Sequence, residues 1–291
     1  MWERKQHGGR LPNRLTTNTL TKNVMTKISD WRAAPNLSLH GKAIVVTGAE
    51  SGIGREIARA CAAAGARVAV GGLQAAGLDE TVALIVADAA VGGRAQPEAF
   101  AMAADVSDAS QIRSFFNEVQ ARFGTLDGAV CNAGVLNRRA PAIELSVEEW
   151  QRTIAVNLSG TFLTLTEAAR IMMAHGRGGS LVATGSSSAI RGITGMLPYI
   201  ASKAGVHAMV QALALELGPH GIRVNTLVPG TTETPLTLSM PGYLAEAAAQ
   251  LPMREVVQTA ELARFVLFAL SDAAPHMTGT LLKIDSGRTI G

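Results

Sequence analysis

From Gly41 onward, short blocks rich in apolar residues alternate with longer stretches in which apolar and polar positions recur at helical spacing. The blocks at 43–47, 68–70, 100–103, 128–131, 180–184, 223–228 and 281–285 are too short for helices and are bounded by glycine, proline or polar residues. Each predicts a strand buried on both faces. Helical stretches lie between them: from the glycines of 48–54 to about 64, over 78–89, from 108 to about 123, from 146 to about 175, over 199–217 and over 261–270. Asp108 with Gln111, and Ser146 with Glu149, have the spacing of capping boxes. Gly65 and the pair Gly218-Pro219 read as helix stops. This alternation predicts an α/β fold, a doubly wound parallel sheet of seven strands with helices on both faces and right-handed crossovers.

Of 291 residues, 47% are hydrophobic and 17% charged. That supports one large domain with a sizeable core. No apolar run approaches the roughly 20 residues of a membrane span, so no membrane association is expected. Charge is uneven: seven basic and two acidic side chains precede Gly41, a net of +5 that leaves −2 on the remainder of a +3 chain. Residues 1–40 therefore read as a basic, disordered N-terminal extension and residues 41–291 as a single domain. The extension has no secretory h-region and lacks the aromatic interleaving of a nucleic-acid platform, so no nucleic-acid partner is expected. Cys61 and Cys131 are the only cysteines and read as buried free thiols in a reducing cytoplasm. The six histidines show no ligand spacing, and no metal is expected.

Two constellations carry chemistry. The first strand runs into TGAESGIG, with Gly48, Gly52 and Gly54. Glycine serves where a backbone must turn tightly and approach a pyrophosphate, and the following helix N-terminus offers free N–H groups to phosphates. The spacing is GxxxGxG, not GxGxxG. The second constellation is YIASK, with Tyr199 and Lys203 on one helical face. An ammonium beside a phenol lowers a pKa that is otherwise about 10. Such a phenol exchanges a proton near neutral pH, as hydride transfer to a carbonyl requires. Ser186, Ser187 and Ser188 precede it and offer a hydroxyl to polarise the same oxygen. With neither a GxSxG elbow nor an identifiable His–Asp pair, no covalent nucleophile is expected.

TGAESGIG, Asp105-Val106, the CNAG at 131–134, Asn157, the Ser186 cluster, YIASK and the VPG at 228–230, in that order, resemble the single-domain branch of the short-chain dehydrogenase/reductase family from Gly41 to Gly291. The enoyl-reductase branch, with its lysine farther from its tyrosine, does not match. The resemblance implies a Rossmann-like fold and an oxidoreductase that moves a hydride between NAD(P) and a secondary alcohol or ketone. It makes Tyr199 the general acid/base, Lys203 the residue that lowers its pKa and bonds the nicotinamide ribose, and Ser186 the residue that orients the substrate oxygen. Asn157 would hold a water linking Lys203 to solvent. Cofactor contacts would come from Gly48, Glu50, Ser51, Gly52, Ile53 and Gly54, from Asp105 and Val106, from Asn132, Ala133 and Gly134, from Tyr199 and Lys203, and from Pro229, Gly230 and Thr231. Cys131 stands where the family often has asparagine.

The cofactor leans to NAD over NADP. Ser51, Gly72, Leu73 and Gln74, where a cation for the extra phosphate would stand, are uncharged, Glu50 would repel that phosphate, and Arg55 is the one base placed to swing over. The substrate pocket is expected between 191–197 and 232–253, with Leu236, Leu238, Met240, Tyr243, Leu244 and Met253 suiting an apolar alcohol or ketone. A 3-oxoacyl-carrier-protein reductase and a non-catalytic dinucleotide-binding scaffold are the alternatives. Apolar surplus on the helices of 146–175 (Phe162, Leu163, Ala168, Ile171, Met172) and 199–217 (Val206, Met209, Val210, Ala212, Leu215) suggests a helix-packed two-fold interface. Family resemblance extends this to a homotetramer.

Overall fold

The computed structural model describes residues 36–290; the expectations for residues 1–35 lie outside them. Among the described residues the strands are β1 (Ala43–Thr47), β2 (Arg67–Gly72), β3 (Ala99–Ala103), β4 (Gly128–Cys131), β5 (Gly179–Thr184), β6 (Ile222–Pro229), β7 (Thr232–Glu233), β8 (Val257–Gln258) and β9 (Leu281–Ile284). Seven form one sheet in the order β3-β2-β1-β4-β5-β6-β9, and β7 pairs with β8. Every pairing is parallel; Ile44 lies opposite Val68 on one side and Gly128 on the other. The order reverses between β1 and β4, which opens a crevice at the carboxyl ends of the strands, where ligands bind in open α/β sheets.

The helices are α1 (Gly52–Ala63), α2 (Ala75–Val91), α3 (Ala109–Phe123), α4 (Val147–Ile154), α5 (Gly160–His175), α6 (Leu197–Leu217), α7 (Pro235–Leu238), α8 (Tyr243–Gln250) and α9 (Thr259–Leu270). Successive β1 residues face opposite ways. Ala43 and Val45 join a core with Phe115, Phe116, Leu165 and Val206. Ile44 and Val46 join one with Ile57, Cys61, Leu78 and Val266. Each fully buried Ile, Leu or Phe of these layers contributes about 1.5–3 kcal/mol. Leu39 belongs to the second core and is wholly buried, so the packed body takes in residues ahead of Gly41.

Three expectations change. The helix expected over 146–175 is two α-helices joined by a π-helical turn at Ala155–Ser159. This turn brings Asn157 fully inside, and π turns of this kind commonly sit at functional sites. The helix carrying Tyr199 starts earlier, at Leu197, with Pro198 in its first turn, where a missing N–H costs nothing. Of the apolar surplus, Ala168, Ile171, Met172, Val206 and Val210 are consumed by the chain's own core, while Phe162, Ala212 and Leu215 stay exposed.

Candidate active site

The glycine turn follows β1. Gly48 has φ +64°, and a Cβ there would lie 2.6 Å from the Ala133 Cα. A Cβ on Gly54 would fall 2.1 Å from the Gly48 carbonyl oxygen, so helix α1 docks on the turn only because Gly54 has none. Asn132 Nδ2 donates to the Gly48 oxygen at 3.0 Å, and Thr184 Oγ1 donates to Asn132 Oδ1 at 3.2 Å, which ties the turn to β5. Ser51, at the N-cap of α1, makes no side-chain cap bond, and no acidic residue occupies the first turn. The free N–H groups and the side-chain-free cradle fit the pyrophosphate of a dinucleotide.

A cavity of about 990 Å³ runs from this turn to Tyr243. Of the residues expected at the site, Gly48, Glu50, Ser51, Gly52, Ile53, Asp105, Val106, Asn132, Ala133, Gly134, Ser186, Tyr199, Lys203, Pro229, Gly230 and Thr231 line it. Gly54 and Asn157 support it from behind. Asp105 accepts hydrogen bonds from the Ser107 N–H at 2.8 Å and hydroxyl at 2.7 Å, while Asp108 caps α3. The Asn157 side chain is fully engaged: Oδ1 accepts from Val135 N at 2.8 Å, and Nδ2 donates to the Val135 oxygen at 2.9 Å and to Ser202 Oγ at 3.1 Å. It pins the segment after CNAG to α6.

At the other end, Ser186 follows β5. Its Oγ accepts the Ser188 N–H at 3.1 Å, and its own N–H donates to His207 Nε2 at 3.4 Å. Lys203 is buried and donates from Nζ to the Thr184 oxygen at 2.7 Å. Burial holds its pKa down to about 8. Burial also raises the Tyr199 pKa; hydrogen bonding to Ser186 lowers it, Tyr243 raises it, and the charge of Arg288 lowers it. This corrects the expectation that Lys203 depresses the phenol. Lys203 Nζ lies 5.9 Å from the Tyr199 ring centroid and is turned to Thr184, and desolvation outweighs the attractions. The phenol is therefore a proton donor at neutral pH.

Sequence reasoning missed three residues here. His207 positions Ser186 and stands four residues after Lys203, a helical spacing that was available as a signal. Ser202 holds Asn157. Arg288 reaches the cavity from the C-terminal segment and donates to Thr231 Oγ1 at 3.0 Å; nothing local marks it. Ile193, Met196, Leu236, Met240 and Tyr243 form the apolar wall, whereas Leu238, Leu244 and Met253 are not part of it. Arg55 does not swing toward the cavity. It bonds the Glu50 and Gly77 carbonyls, Thr81 and Glu80.

A family model described as enoyl-(acyl carrier protein) reductase matches residues 48–289. The chain is 38% identical over 268 residues to D-threitol dehydrogenase of Mycolicibacterium smegmatis, covering 91% of this chain and 100% of that protein. It is 36% identical over 255 residues to (3R)-3-hydroxyacyl-CoA dehydrogenase of Mus musculus, covering 87% and 98%. The crystal structure of a short-chain type dehydrogenase/reductase from Mycobacterium marinum superposes with a TM-score of 0.81 at 35% identity, covering 88% and 98%. The chain belongs to the short-chain dehydrogenase/reductase family and is an NAD(P)-dependent oxidoreductase acting on CH–OH groups.

Proposed function

We propose that this enzyme interconverts an apolar secondary alcohol and its ketone with NAD. The observation that carries the reading is one cavity with a phosphate-fitting glycine turn at one end and Ser186, Tyr199 and Lys203 at the other. Bound in it, the cofactor supplies or accepts the hydride. Tyr199 gives its proton to the carbonyl oxygen in reduction and takes it back in oxidation. Ser186 donates a hydrogen bond to that oxygen as negative charge develops. Lys203 would hold the ribose beside the nicotinamide, and Thr231 would meet the carboxamide. Asn157 holds the loop after Gly134 through its bonds to Val135 and ties it to Ser202 on α6.

NAD is favoured because the extra phosphate of NADP, with nearly two negative charges, needs cations. Ser51, Gly72, Leu73 and Gln74 offer none, and the Arg55 guanidinium is spent on Glu80 and backbone oxygens. Titration of the intrinsic fluorescence of NADH and NADPH should give a tenfold or larger preference for NADH, about 1.4 kcal/mol. A preference for NADPH of that size would overturn the choice. Turnover of a panel of ketones and alcohols then tests the reaction; binding without turnover of any would leave a scaffold.

A 3-oxoacyl reductase is the second reading. Arg139 and Arg152 line the cavity and suit a phosphate-bearing acyl carrier, and one relative is named for a hydroxyacyl-CoA. Acetoacetyl-CoA turning over far better than simple ketones would select it. The residues after the basic N-terminal extension form one domain in this reading. Two buried free cysteines suit the reducing cytoplasm. Exposed Phe162 and Leu215, on α5 and α6, support a homotetramer. Light scattering at micromolar concentration should give four times the chain mass of 30.3 kDa, and a monomer would refute it.

A further inference from the structure

We propose that Glu50, from the glycine turn, is the acid that takes the adenosine ribose hydroxyls of NAD, in the place that β2 leaves empty at Gly72. The inference rests on the NAD-binding reading above. In dinucleotide folds an Asp or Glu roughly 20 residues beyond the glycines meets this ribose. Here β2 ends in Gly71-Gly72, followed by Leu73 and Gln74, and no acid stands there.

The space is nonetheless filled by a carboxylate. A Cβ on Gly72 would lie 2.2 Å from Glu50 Oε2, 2.8 Å from its Cδ and 3.0 Å from its Oε1. On another side, a Cβ on Gly77 would lie 2.9 Å from the Glu50 Cβ. Glycine at both positions is therefore the condition for Glu50 to adopt this pose. Glu50 and Gly72 line the same cavity, and Glu50 Oε2 is buried without a hydrogen-bond partner. A buried carboxylate oxygen without a donor is costly, and a ribose diol supplies two hydroxyl donors. No basic side chain among the described residues pairs with this carboxylate. Arg55, which also bonds Gly77, Thr81 and Glu80, touches Glu50 at its backbone oxygen, at 2.5 Å, and not at its carboxylate. A 2′-phosphate placed against Glu50 would meet a like charge. The glycine at the strand end and the glutamate in the turn thus act as one unit that replaces the strand-end acid.

The test is binding by the full-length protein, read by NADH and NADPH fluorescence titration, with thermal melts to check folding. Glu50→Ala should weaken NADH binding about 10-fold or more and narrow its margin over NADPH. Gly72→Asp alone should lose NADH affinity, because the new side chain collides with the Glu50 carboxylate. Glu50→Ala with Gly72→Asp should regain both NADH affinity and its margin. Should Glu50→Ala fail to fold, the isosteric Glu50→Gln carries the same expectation. A folded Glu50 variant with wild-type affinities for both nucleotides overturns the proposal and leaves the dinucleotide reading standing; so does a wild type that prefers NADPH. A wild type that binds neither nucleotide removes the reading and the proposal together.

Discussion

Tyr199→Phe should lower kcat by about 10²–10⁴-fold, the contribution of a positioned general acid. NADH affinity should change little, because the variant keeps the ring and loses only the hydroxyl. Burial raises the phenol pKa, so the group is protonated at neutral pH, ready for ketone reduction and unready for alcohol oxidation. Reduction should therefore stay level from pH 6 to 10, because the phenol keeps its proton throughout. Oxidation, which needs the phenolate, should rise with pH over the same range. The variant should lose both limbs. Steady-state rates in each direction between pH 6 and 10, with a nucleotide titration as control, read this out. A variant that kept more than half of the wild-type rate would show that another group moves the proton.

Lys203→Met should abolish most turnover and weaken nucleotide binding, yet it should lift a burden from the fold that depends on pH. Lys203 is 3% exposed, and burial lowers its pKa from 10.5 to about 8. Below pH 8 both the folded and the unfolded chain carry the proton, and the fold bears the full cost of a buried ammonium. Between about 8 and 10.5 the folded chain is neutral while the unfolded chain still binds the proton. Stability contributed by this group therefore rises with pH across that window. Relative to Lys203→Met, the wild type should gain on the order of 3 kcal/mol from pH 7 to 10.5, since each tenfold difference in proton affinity between the folded and unfolded chain is worth about 1.4 kcal/mol. The methionine loses the bond to Thr184, but that loss does not depend on pH and cancels in the difference. Urea unfolding of both proteins at several pH values measures it. A stability difference that stays constant with pH would mean that Lys203 is not held in a poorly solvated site.

The features legible from sequence are those whose physics is local. TGAESGIG announces itself because a turn that approaches a neighbouring backbone as Gly48 approaches Ala133 admits no side chain. Tyr199 and Lys203 are legible as a pair because four residues on a helix return to one face. Their mutual electrostatics were not, since these depend on Thr184, which takes the ammonium, and on how much water each group loses. The π turn at Ala155–Ser159 was hidden for a related reason. It sets the Asn157 carboxamide against Val135 and Ser202, and helical periodicity carries no trace of those distant partners.

The succession of strands and helices, the parallel sheet and the positions of the glycine turn and the YIASK helix were thus determined by the sequence alone, through apolar periodicity, glycine and spacing. Tertiary structure decided what met across elements: His207 behind Ser186, Arg288 beside Tyr199, and the Glu50 carboxylate in the space above Gly72. Local sequence constrains backbone conformation and the face on which a side chain emerges. It does not say which side chain from a distant element arrives there, or how much solvent leaves when it does, and those two quantities set the charge and the proton affinity of the site.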